Sequence, residues 1–246
     1  MSTIEKRVAI VTGGSKGIGA EISRRLGLDG VNVVVNYASS KVDAQNVVAQ
    51  IETSGGRAIA VHTDVAQTDG AAILFDAAFE SFGRVDVLVN NAGMLEQGGI
   101  ATVTDESFAQ QIALNVGAVF RGMREAARRM SDNGRIITIS SSVVGLYHPN
   151  FGVYAATKSA VDGLTRVVAK ELGLRGITVN CVSPGQVVTD LFLAGKSPEE
   201  LDMYTNRIPL GRLGQPGDIA GVVAFLASAD GKWVNGQVIR ANGGVV

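Results

Sequence analysis

The chain has one cysteine, Cys181, among its 246 residues. A single thiol cannot form an intrachain disulfide, so the core alone must hold the fold, as is usual in a reducing compartment. Because Cys181 lies in the apolar run ITVNCVS, we expect a buried structural thiol and not a reactive one.

The sequence also lacks charge imbalance and long apolar runs. Its 22 basic and 23 acidic residues leave a net charge of −1, which indicates neither a nucleic acid nor a membrane as partner. No apolar stretch reaches the roughly 18 residues of a membrane helix, and the start MSTIEKRVAIVTGG has no signal-peptide pattern. We expect a cytoplasmic protein. The two histidines, His62 and His148, lie far apart without a carboxylate or thiolate cluster, so no metal site is expected.

Seven short β-branched runs alternate with amphipathic stretches along the chain. Strands are predicted at 7–12, 31–37, 57–63, 85–90, 135–140, 177–183 and 236–241. Helices are predicted at 17–29, 41–54, 69–82, 105–131, 154–173 and 218–228. Most strand runs are continuously apolar, which is typical of a parallel sheet covered on both faces. The pattern predicts an α/β, doubly wound (Rossmann) fold in which a seven-stranded parallel sheet carries helices on both faces, as a single domain over 1–246.

Residues 186–218 interrupt this alternation. The stretch predicts one short helix at most before the next long helix. Long irregular segments in a compact domain are commonly functional, so we expect a substrate lid at about 187–210.

Polar and glycine-rich motifs follow four of the predicted strands. TGGSKGIG follows the first strand, NNAG the fourth, SSS the fifth and SPG the sixth. In a doubly wound sheet the carboxyl ends of the strands face one crevice, where ligands bind. The sequence therefore predicts that the four motifs converge on one site.

The glycine loop, Thr12 to Gly19, opens the first predicted helix. Glycine allows the backbone to approach a pyrophosphate closely, and the free N–H groups of a helix N-terminus favour its charge. The spacing is GxxxGxG instead of GxGxxG, so the motif alone is a weak signal. Its place after the first strand indicates a dinucleotide.

The second strand ends at NYASSK, where NAD-binding proteins of this architecture carry an acid for the adenosine ribose 2′-hydroxyl. Asn36 and Tyr37 stand there instead, and no carboxylate follows before Asp43. A 2′-phosphate is therefore not repelled, which predicts NADP(H) as the cofactor. The side chains available to receive that phosphate are those of Lys16, Ser39, Ser40 and Lys41.

Tyr154 and Lys158, in YAATK, are four residues apart and share one face of a predicted helix. An ammonium there stabilises a phenolate, so the tyrosine is a candidate general acid for the oxygen of a carbonyl being reduced. Ser141, thirteen positions before Tyr154, is placed to bond the same oxygen, with Ser142 as the alternative. Ser140 is expected to satisfy backbone groups.

These motifs together resemble the short-chain dehydrogenase/reductase family, in order and across essentially the whole chain. They comprise TGGSKGIG, Asp64, NNAG, Asn115 in LNVGAVF, Ser141, YAATK and SPGQVVTD. The resemblance is nearest to the 3-oxoacyl-(acyl carrier protein) reductase-like branch, which includes many carbonyl reductases.

The resemblance implies a catalytic tetrad of Asn115, Ser141, Tyr154 and Lys158. Tyr154 would be the acid/base, Ser141 would polarise the carbonyl, Lys158 would hold the nicotinamide ribose, and Asn115 would anchor a water of a proton relay. The implied cofactor contacts, with the end of the second strand added, are Gly13, Ser15, Lys16, Gly17, Ile18, Gly19, Asn36, Tyr37, Ala38, Ser39, Asp64, Val65, Asn91, Ala92, Gly93, Tyr154, Lys158, Pro184, Gly185, Val187 and Thr189.

The expected function is an NADPH-dependent carbonyl reductase that converts a ketone or aldehyde into an alcohol. Three alternatives stay open: a 3-oxoacyl-(acyl carrier protein) reductase, a polyol or sugar dehydrogenase, and a non-catalytic NADP(H)-binding sensor. The carrier-protein alternative is weakened because Arg175 matches one basic docking residue while Asp132 stands where another would be.

The remaining expectations concern substrate and assembly. The resemblance implies a small carbonyl or alcohol substrate and a homotetramer paired through the helices at 105–131 and 154–173. The candidate substrate walls are Leu95, Glu96, Leu146, Tyr147, His148, Phe151, Val187, Leu191, Phe192, Met203 and Tyr204.

Overall fold

A computed structural model describes residues 6–246 and contains one seven-stranded sheet. The strands are β1 Val8–Val11, β2 Asn32–Tyr37, β3 Ala58–His62, β4 Val87–Asn90, β5 Arg135–Ile139, β6 Thr178–Pro184 and β7 Val238–Ala241. All neighbours pair in parallel, in the order β3-β2-β1-β4-β5-β6-β7. The seven predicted strands and the doubly wound fold are confirmed. The expectation about a signal peptide rests partly on residues 1–5, which lie outside the described residues.

Helices cover both faces of the sheet. They are α1 Gly17–Leu28, α2 Lys41–Thr53, α3 Gly70–Phe82, α4 Asp105–Ile112, α5 Val119–Arg129, α6 Val143–Leu146, α7 Gly152–Glu171, α8 Asp190–Leu193, α9 Pro198–Asn206 and α10 Pro216–Ala227. Short 3₁₀ turns occupy Gly173–Arg175 and Asp230–Trp233.

The central strand β1 shows why its sequence is apolar throughout. Successive side chains of a strand point to opposite faces. Ala9 and Val11 pack into one core cluster together with α1, α2 and α10. Val8 and Ile10 pack into the other cluster, with α3, α5 and α7. Both faces of β1 are therefore buried, as a parallel sheet requires.

The predicted helix at 105–131 is not a continuous α-helix. A π-helical stretch at Ala113–Ala118 separates α4 from α5, and α5 ends at Arg129. Insertions of this kind inside a helix are frequent at functional sites. The interruption places Asn115 fully inside the protein.

The prediction of one short helix at most in 186–218 was wrong, because this stretch contains both α8 and the nine-residue α9. Ser197 caps α9 and forms a capping box with Glu200, and Pro198 is the first helical residue. The sequence SPEE therefore carries a recognisable helix start. The four-residue helix α6 was not anticipated either. Within residues 6–246, no helix combines the length and apolar character needed to cross a bilayer.

Leu88 in β4 is 1% exposed and packs in the second cluster, whereas Leu28 at the end of α1 is 64% exposed. We predict that Leu88→Ala lowers the free energy of unfolding by about 2–5 kcal/mol because it leaves a cavity. Leu28→Ala, the same chemical change, should stay within about 0.5 kcal/mol of the parent. Urea unfolding measures both, and equal losses in the two variants would contradict this view of the core.

Candidate active site

The carboxyl ends of the strands enclose a cavity of about 520 Å³, a size typical of small-molecule sites. It brings together most of the predicted site residues. Those lining it are Gly13, Lys16, Gly17, Ile18, Gly19, Asn36, Ala38, Asp64, Val65, Asn91, Ala92, Gly93, Ser141, Tyr154, Lys158, Pro184, Gly185, Val187 and Thr189.

Four predicted site residues do not line this cavity. Asn115 is buried behind it. Ser15 borders a neighbouring polar depression, and Ser39 is exposed. Tyr37 is 9% exposed, and its ring centroid lies 5.2 Å from that of His62. Tyr37 therefore braces the end of β2 against β3.

The glycine loop is held in place by two asparagines. Asn36 Oδ1 accepts from Gly13 N at 3.0 Å, and Asn91 Nδ2 donates to Gly13 O at 3.1 Å. A Cβ at Gly19 would lie 2.2 Å from Gly13 O and 2.4 Å from Asn91 Nδ2. Only glycine fits at position 19, because the loop packs there against Gly13 and Asn91. The glycines at 13, 17 and 19 line the cavity where α1 begins, and the N–H groups of a helix start form a cradle that suits a phosphate group.

The end of β2 carries no free acid. Asn36 is 2% exposed, and its Nδ2 donates to Thr63 O at 3.0 Å, so its amide bonds backbone on both sides. Lys16, at the start of α1, forms an exposed ion pair of 3.2 Å with Asp43. The Lys16 ammonium therefore lies near the part of the cavity where β2 ends, next to the carboxylate of Asp43.

Tyr154 and Lys158 lie on one face of α7, as predicted. Lys158 Nζ is 5.6 Å from the Tyr154 ring centroid and donates to Ile139 O at 2.8 Å. A Cβ at Gly93 would lie 3.5 Å from Lys158 Nζ and 3.2 Å from Asn115 Oδ1. Lys158 is 4% exposed. Its ammonium is thus held between Tyr154 and the loop that follows β4.

Asn115 is held on both sides of its amide. Its Oδ1 accepts from Met94 N at 2.9 Å, and its Nδ2 donates to Met94 O at 2.9 Å and to Thr157 Oγ1 at 3.2 Å. The Thr157 hydroxyl in turn donates to Tyr154 O at 2.7 Å. This chain of bonds joins the π-helical stretch to the backbone of the tyrosine.

The three serines after β5 have different environments. Ser141 is half-buried, and its Oγ accepts from Val143 N at 3.2 Å. Ser142 is buried, and its Oγ bonds Ser183 O at 3.3 Å and Asn242 Nδ2 at 2.9 Å. Ser140 was expected to satisfy backbone groups, but its buried Oγ has no partner among the described residues. Ser141 therefore remains the better candidate for a substrate contact than Ser142.

Residues 187–214 form a segment whose two ends meet. Val187 and Gly214 form an isolated parallel bridge. Next to it, Arg212 binds Asp218 through two bonds of 2.7 and 2.9 Å. These bonds, together with that from Gln215 N, hold the pKa of the Asp218 carboxyl at about 2. At the other end of the segment, Thr189 lies close to Gly17 of the glycine loop.

The predicted substrate walls are only partly confirmed as cavity lining. Leu95, Leu146, His148, Phe151, Val187, Leu191, Phe192 and Tyr204 line the cavity. Glu96, Tyr147 and Met203 do not; Tyr147 is 75% exposed and Met203 43%. Five polar residues of the lining were not predicted as site residues, namely Thr63, Gln97, Gln186, Asp190 and Lys196.

Cys181 lies outside the cavity and is fully buried. Its burial raises the pKa of the thiol to about 12, and Thr165 Oγ1 lies 3.0 Å from Sγ. The thiol is therefore structural. Between residues 6 and 246, no group of three or more His, Cys, Asp or Glu side chains is placed to hold a metal ion.

A doubly wound sheet with a glycine loop, a Tyr–Lys pair and a serine at its carboxyl edge defines a nucleotide-binding oxidoreductase. A family model described as enoyl-(acyl carrier protein) reductase matches residues 13–246. An uncharacterized oxidoreductase of Methylorubrum extorquens is 49% identical over 247 residues, covering 100% of both chains.

Solved structures agree with these matches. A short-chain dehydrogenase/reductase from Serratia marcescens has a TM-score of 0.94 at 38% identity, covering 98% of each chain. An angucycline C-6 ketoreductase, LanV, solved with bound NADP, has a TM-score of 0.92 at 36% identity, covering 97% of this chain and 95% of that one. The chain belongs to the short-chain dehydrogenase/reductase family of oxidoreductases.

Because Gly19 faces backbone at 2.2 Å, a side chain at this position must displace the loop. We predict that Gly19→Ala lowers the affinity for NADPH by at least about tenfold. A distortion of the loop that costs about 1.4 kcal/mol of binding free energy is enough for a change of this size. Gly221→Ala in α10, where a Cβ meets nothing within 4 Å, is the matched control and should bind normally. NADPH fluorescence titration measures both, and unchanged affinity of Gly19→Ala would refute the cradle.

Proposed function

We propose that the protein is an NADPH-dependent carbonyl reductase that converts a ketone or aldehyde into an alcohol. The observation that carries the proposal is that Ser141, Tyr154 and Lys158 line the same cavity as the glycine loop. A dinucleotide held by the glycine loop and a proton donated by Tyr154 can therefore both reach a carbonyl group bound in this cavity. The angucycline ketoreductase solved with NADP supports the same cofactor and a carbonyl substrate.

The residues present fit an NADP(H) molecule. The cradle at Gly19 accepts the pyrophosphate, and Lys16 is the cation available to a 2′-phosphate. Asp64 and Val65 line the part of the cavity assigned to adenine, and Val187 and Thr189 the part assigned to the carboxamide. NADPH, when bound, supplies a hydride to the carbonyl carbon.

Tyr154 donates its phenolic proton to the oxygen of the carbonyl as that oxygen gains negative charge. Ser141 donates a hydrogen bond to the same oxygen and so stabilises the charge. Lys158, whose ammonium lies 5.6 Å from the ring centroid, favours the phenolate that Tyr154 leaves behind and holds the nicotinamide ribose. In the reverse direction the phenolate accepts the proton of an alcohol, which high pH favours.

Asn115 is proposed to support the return of a proton to Tyr154. Its amide is anchored on Met94 and Thr157 and lies next to the ammonium of Lys158 across Gly93. A water bound at this position would link Lys158 to solvent. Asn115 positions the relay and does not touch the substrate.

The carrier-protein alternative loses support from the surface around Arg175. Its guanidinium binds Asp132 at 2.8 Å and also donates to Ala127 O and Met130 O. Because the Arg175 guanidinium is already paired with a carboxylate, it would attract an acidic carrier protein only weakly. We therefore place a free ketone or aldehyde before a carrier-bound β-ketoacyl group, and a polyol or sugar third because the walls are mainly apolar.

Two further features complete the proposal. We assign residues 187–210 to a substrate lid over the cavity, and we propose a homotetramer. Exposed apolar side chains on α4, α5 and α7, namely Phe108, Phe120 and Val167, support pairing through these helices. A non-catalytic sensor is disfavoured because all four tetrad positions carry the reactive residue types.

Tyr154→Phe removes the proposed proton donor but keeps the ring. We predict that kcat for carbonyl reduction falls by about a hundredfold or more, while NADPH binding persists. Tyr147→Phe is the matched control, because Tyr147 is 75% exposed and does not line the cavity. NADPH absorbance with an aryl ketone, an α-keto ester, a diketone, a sugar and an acetoacetyl thioester gives the rates. Full turnover by Tyr154→Phe would rule out the assignment, and fast turnover of the thioester alone would restore the carrier-protein alternative.

Lys16 and Asp43 should set the cofactor preference in opposite directions. We predict that Lys16→Ala weakens NADPH binding about 10- to 100-fold and leaves NADH binding unchanged, because one charge-assisted bond to the 2′-phosphate is lost. Asp43→Asn should strengthen NADPH binding, since it releases Lys16 from its 3.2 Å ion pair. Lys170→Ala, at an exposed lysine on α7 that does not line the cavity, is the control. A parallel loss of both cofactors in Lys16→Ala would contradict the role.

A further inference from the structure

His148 lines the cavity and is half-buried, and the proposed reaction gives it no role. Its ring centroid lies 6.3 Å from that of Phe151, which lines the same cavity. Within residues 6–246 neither ring nitrogen of His148 has a hydrogen-bond partner, and neither is shielded from water. Ligand sites use a few polar groups of this kind to fix the orientation of the ligand.

A tight turn fixes the backbone of His148. Its carbonyl accepts from Phe151 N at 3.3 Å across Pro149 and Asn150, and Asn150 has a φ of 70°. Proline at the second position and asparagine with positive φ at the third are typical of a type II turn. Asn150 O also accepts from Gly98 N at 2.9 Å. The turn that carries His148 is therefore anchored to the loop that follows β4.

This turn connects the two elements that carry the proposed catalytic groups. On one side is α6, which begins two residues after Ser141. On the other side the chain enters α7, which carries Tyr154. Tyr147 is 75% exposed, whereas His148 lines the cavity together with Ser141 and Tyr154. The imidazole is thus tied by short stretches of chain to both groups that bind the reacting oxygen.

Two other polar side chains of the cavity are held by contacts within the protein. Ser142 Oγ bonds a backbone carbonyl and an asparagine amide. The Lys196 ammonium donates to Phe192 O and lies 4.6 Å from the Phe192 ring centroid. The nitrogens of His148 have no such bonds among the described residues, so they are the more available to a substrate.

An imidazole offers a hydrogen-bond donor in every protonation state. The neutral ring carries one N–H group and the protonated ring two, whereas only the neutral ring can accept. The substrate group that suits His148 in both states is therefore an acceptor, such as a carbonyl oxygen. Other walls of the cavity are apolar, since Phe192 and Tyr204 meet edge to face at 5.4 Å and Leu146 and Phe151 also line it.

We infer that His148 is a specificity residue that donates a hydrogen bond to a second carbonyl oxygen of the substrate. This inference rests on the proposed reductase function and narrows its substrate class to ketones that carry a second carbonyl group on an apolar body. The second carbonyl is a recognition group and is unchanged by the reaction. The reacting carbon gains the hydride of NADPH, its oxygen gains the proton of Tyr154, and one NADP⁺ is formed for each alcohol.

The experiment compares ketones with and without the second carbonyl oxygen. Ethyl benzoylformate and ethyl benzoylacetate are each paired with the ether in which a CH₂ group replaces the ester carbonyl. The measured quantity is the ratio of kcat/KM for the ester to that for its ether. Because a second carbonyl also activates the first toward hydride, only the change of this ratio between wild type and variant reports on His148.

His148→Phe keeps an aromatic ring and removes the donor. It should lower the ratio for at least one pair about three- to tenfold, the range that one hydrogen bond between neutral groups provides. A ratio that stays at the wild-type value for both pairs would overturn the inference.

Two further substitutions test whether the N–H group itself carries the preference. His148→Asn and His148→Gln each keep an N–H donor, at different distances from the backbone, and at least one should restore most of the lost ratio. Tyr147→Phe is the matched control, because Tyr147 precedes His148 but does not line the cavity, and its variant should keep the wild-type ratio. A ratio that neither amide restores would show that His148 acts through packing, which contradicts the inference.

Binding measurements separate this inference from the proposed function. Calorimetry with NADP⁺ present reports the affinity of each ketone without turnover. Binding that depends on the second carbonyl and on His148, without any reduction by NADPH, would remove the reductase assignment and leave the role of His148 intact. A His148→Phe variant that loses NADPH affinity and slows all ketones in parallel would show a structural role, which overturns the inference and leaves the reductase assignment in place.

Discussion

The hydrogen bonds that fasten the glycine loop to its two neighbouring strands are the constraint on which the site depends. Asn36 on β2 holds Gly13 from one side, and Asn91 after β4 holds Thr12 and Gly13 from the other. The Thr12 hydroxyl accepts from the backbone of Asn91 and Ala92. Three adjacent strands thus end in one hydrogen-bond network, which holds the glycine loop at the edge of the cavity.

The strands were predictable because each is a run of apolar, β-branched residues, and a parallel sheet buries such runs on both faces. The start of α9 was also readable, since Ser197, Pro198 and Glu200 form a local cap. The π-helical stretch was not. Its sequence, ALNVGA, contains no proline, and Asn115 in this stretch bonds to Met94 and Thr157, which are distant in the chain.

Within the site, residues fixed by strand ends and helix spacing were placed correctly, as with Ser141, Tyr154 and Lys158. Side-chain direction was less accessible. Asn36 turns inward to the loop, and Tyr37 packs on His62 instead of facing the cavity. Sequence patterns predict which residues lie near the site. The hydrogen-bond partner of each polar atom can be identified only from the tertiary structure.

The bridge between Val187 and Gly214 has a consequence for how this enzyme can diversify. It closes a loop of chain whose two ends are joined at the sheet, so α8 and α9 can change in length or sequence while the strands below keep their positions. Tyr154 and the strands belong to other elements, whereas Thr189 at the start of the loop packs against Gly17 of the glycine loop. Exchanging the loop between relatives at these two residues, with Thr189 kept, would therefore change the walls of the cavity while the sheet and α7 keep their sequence.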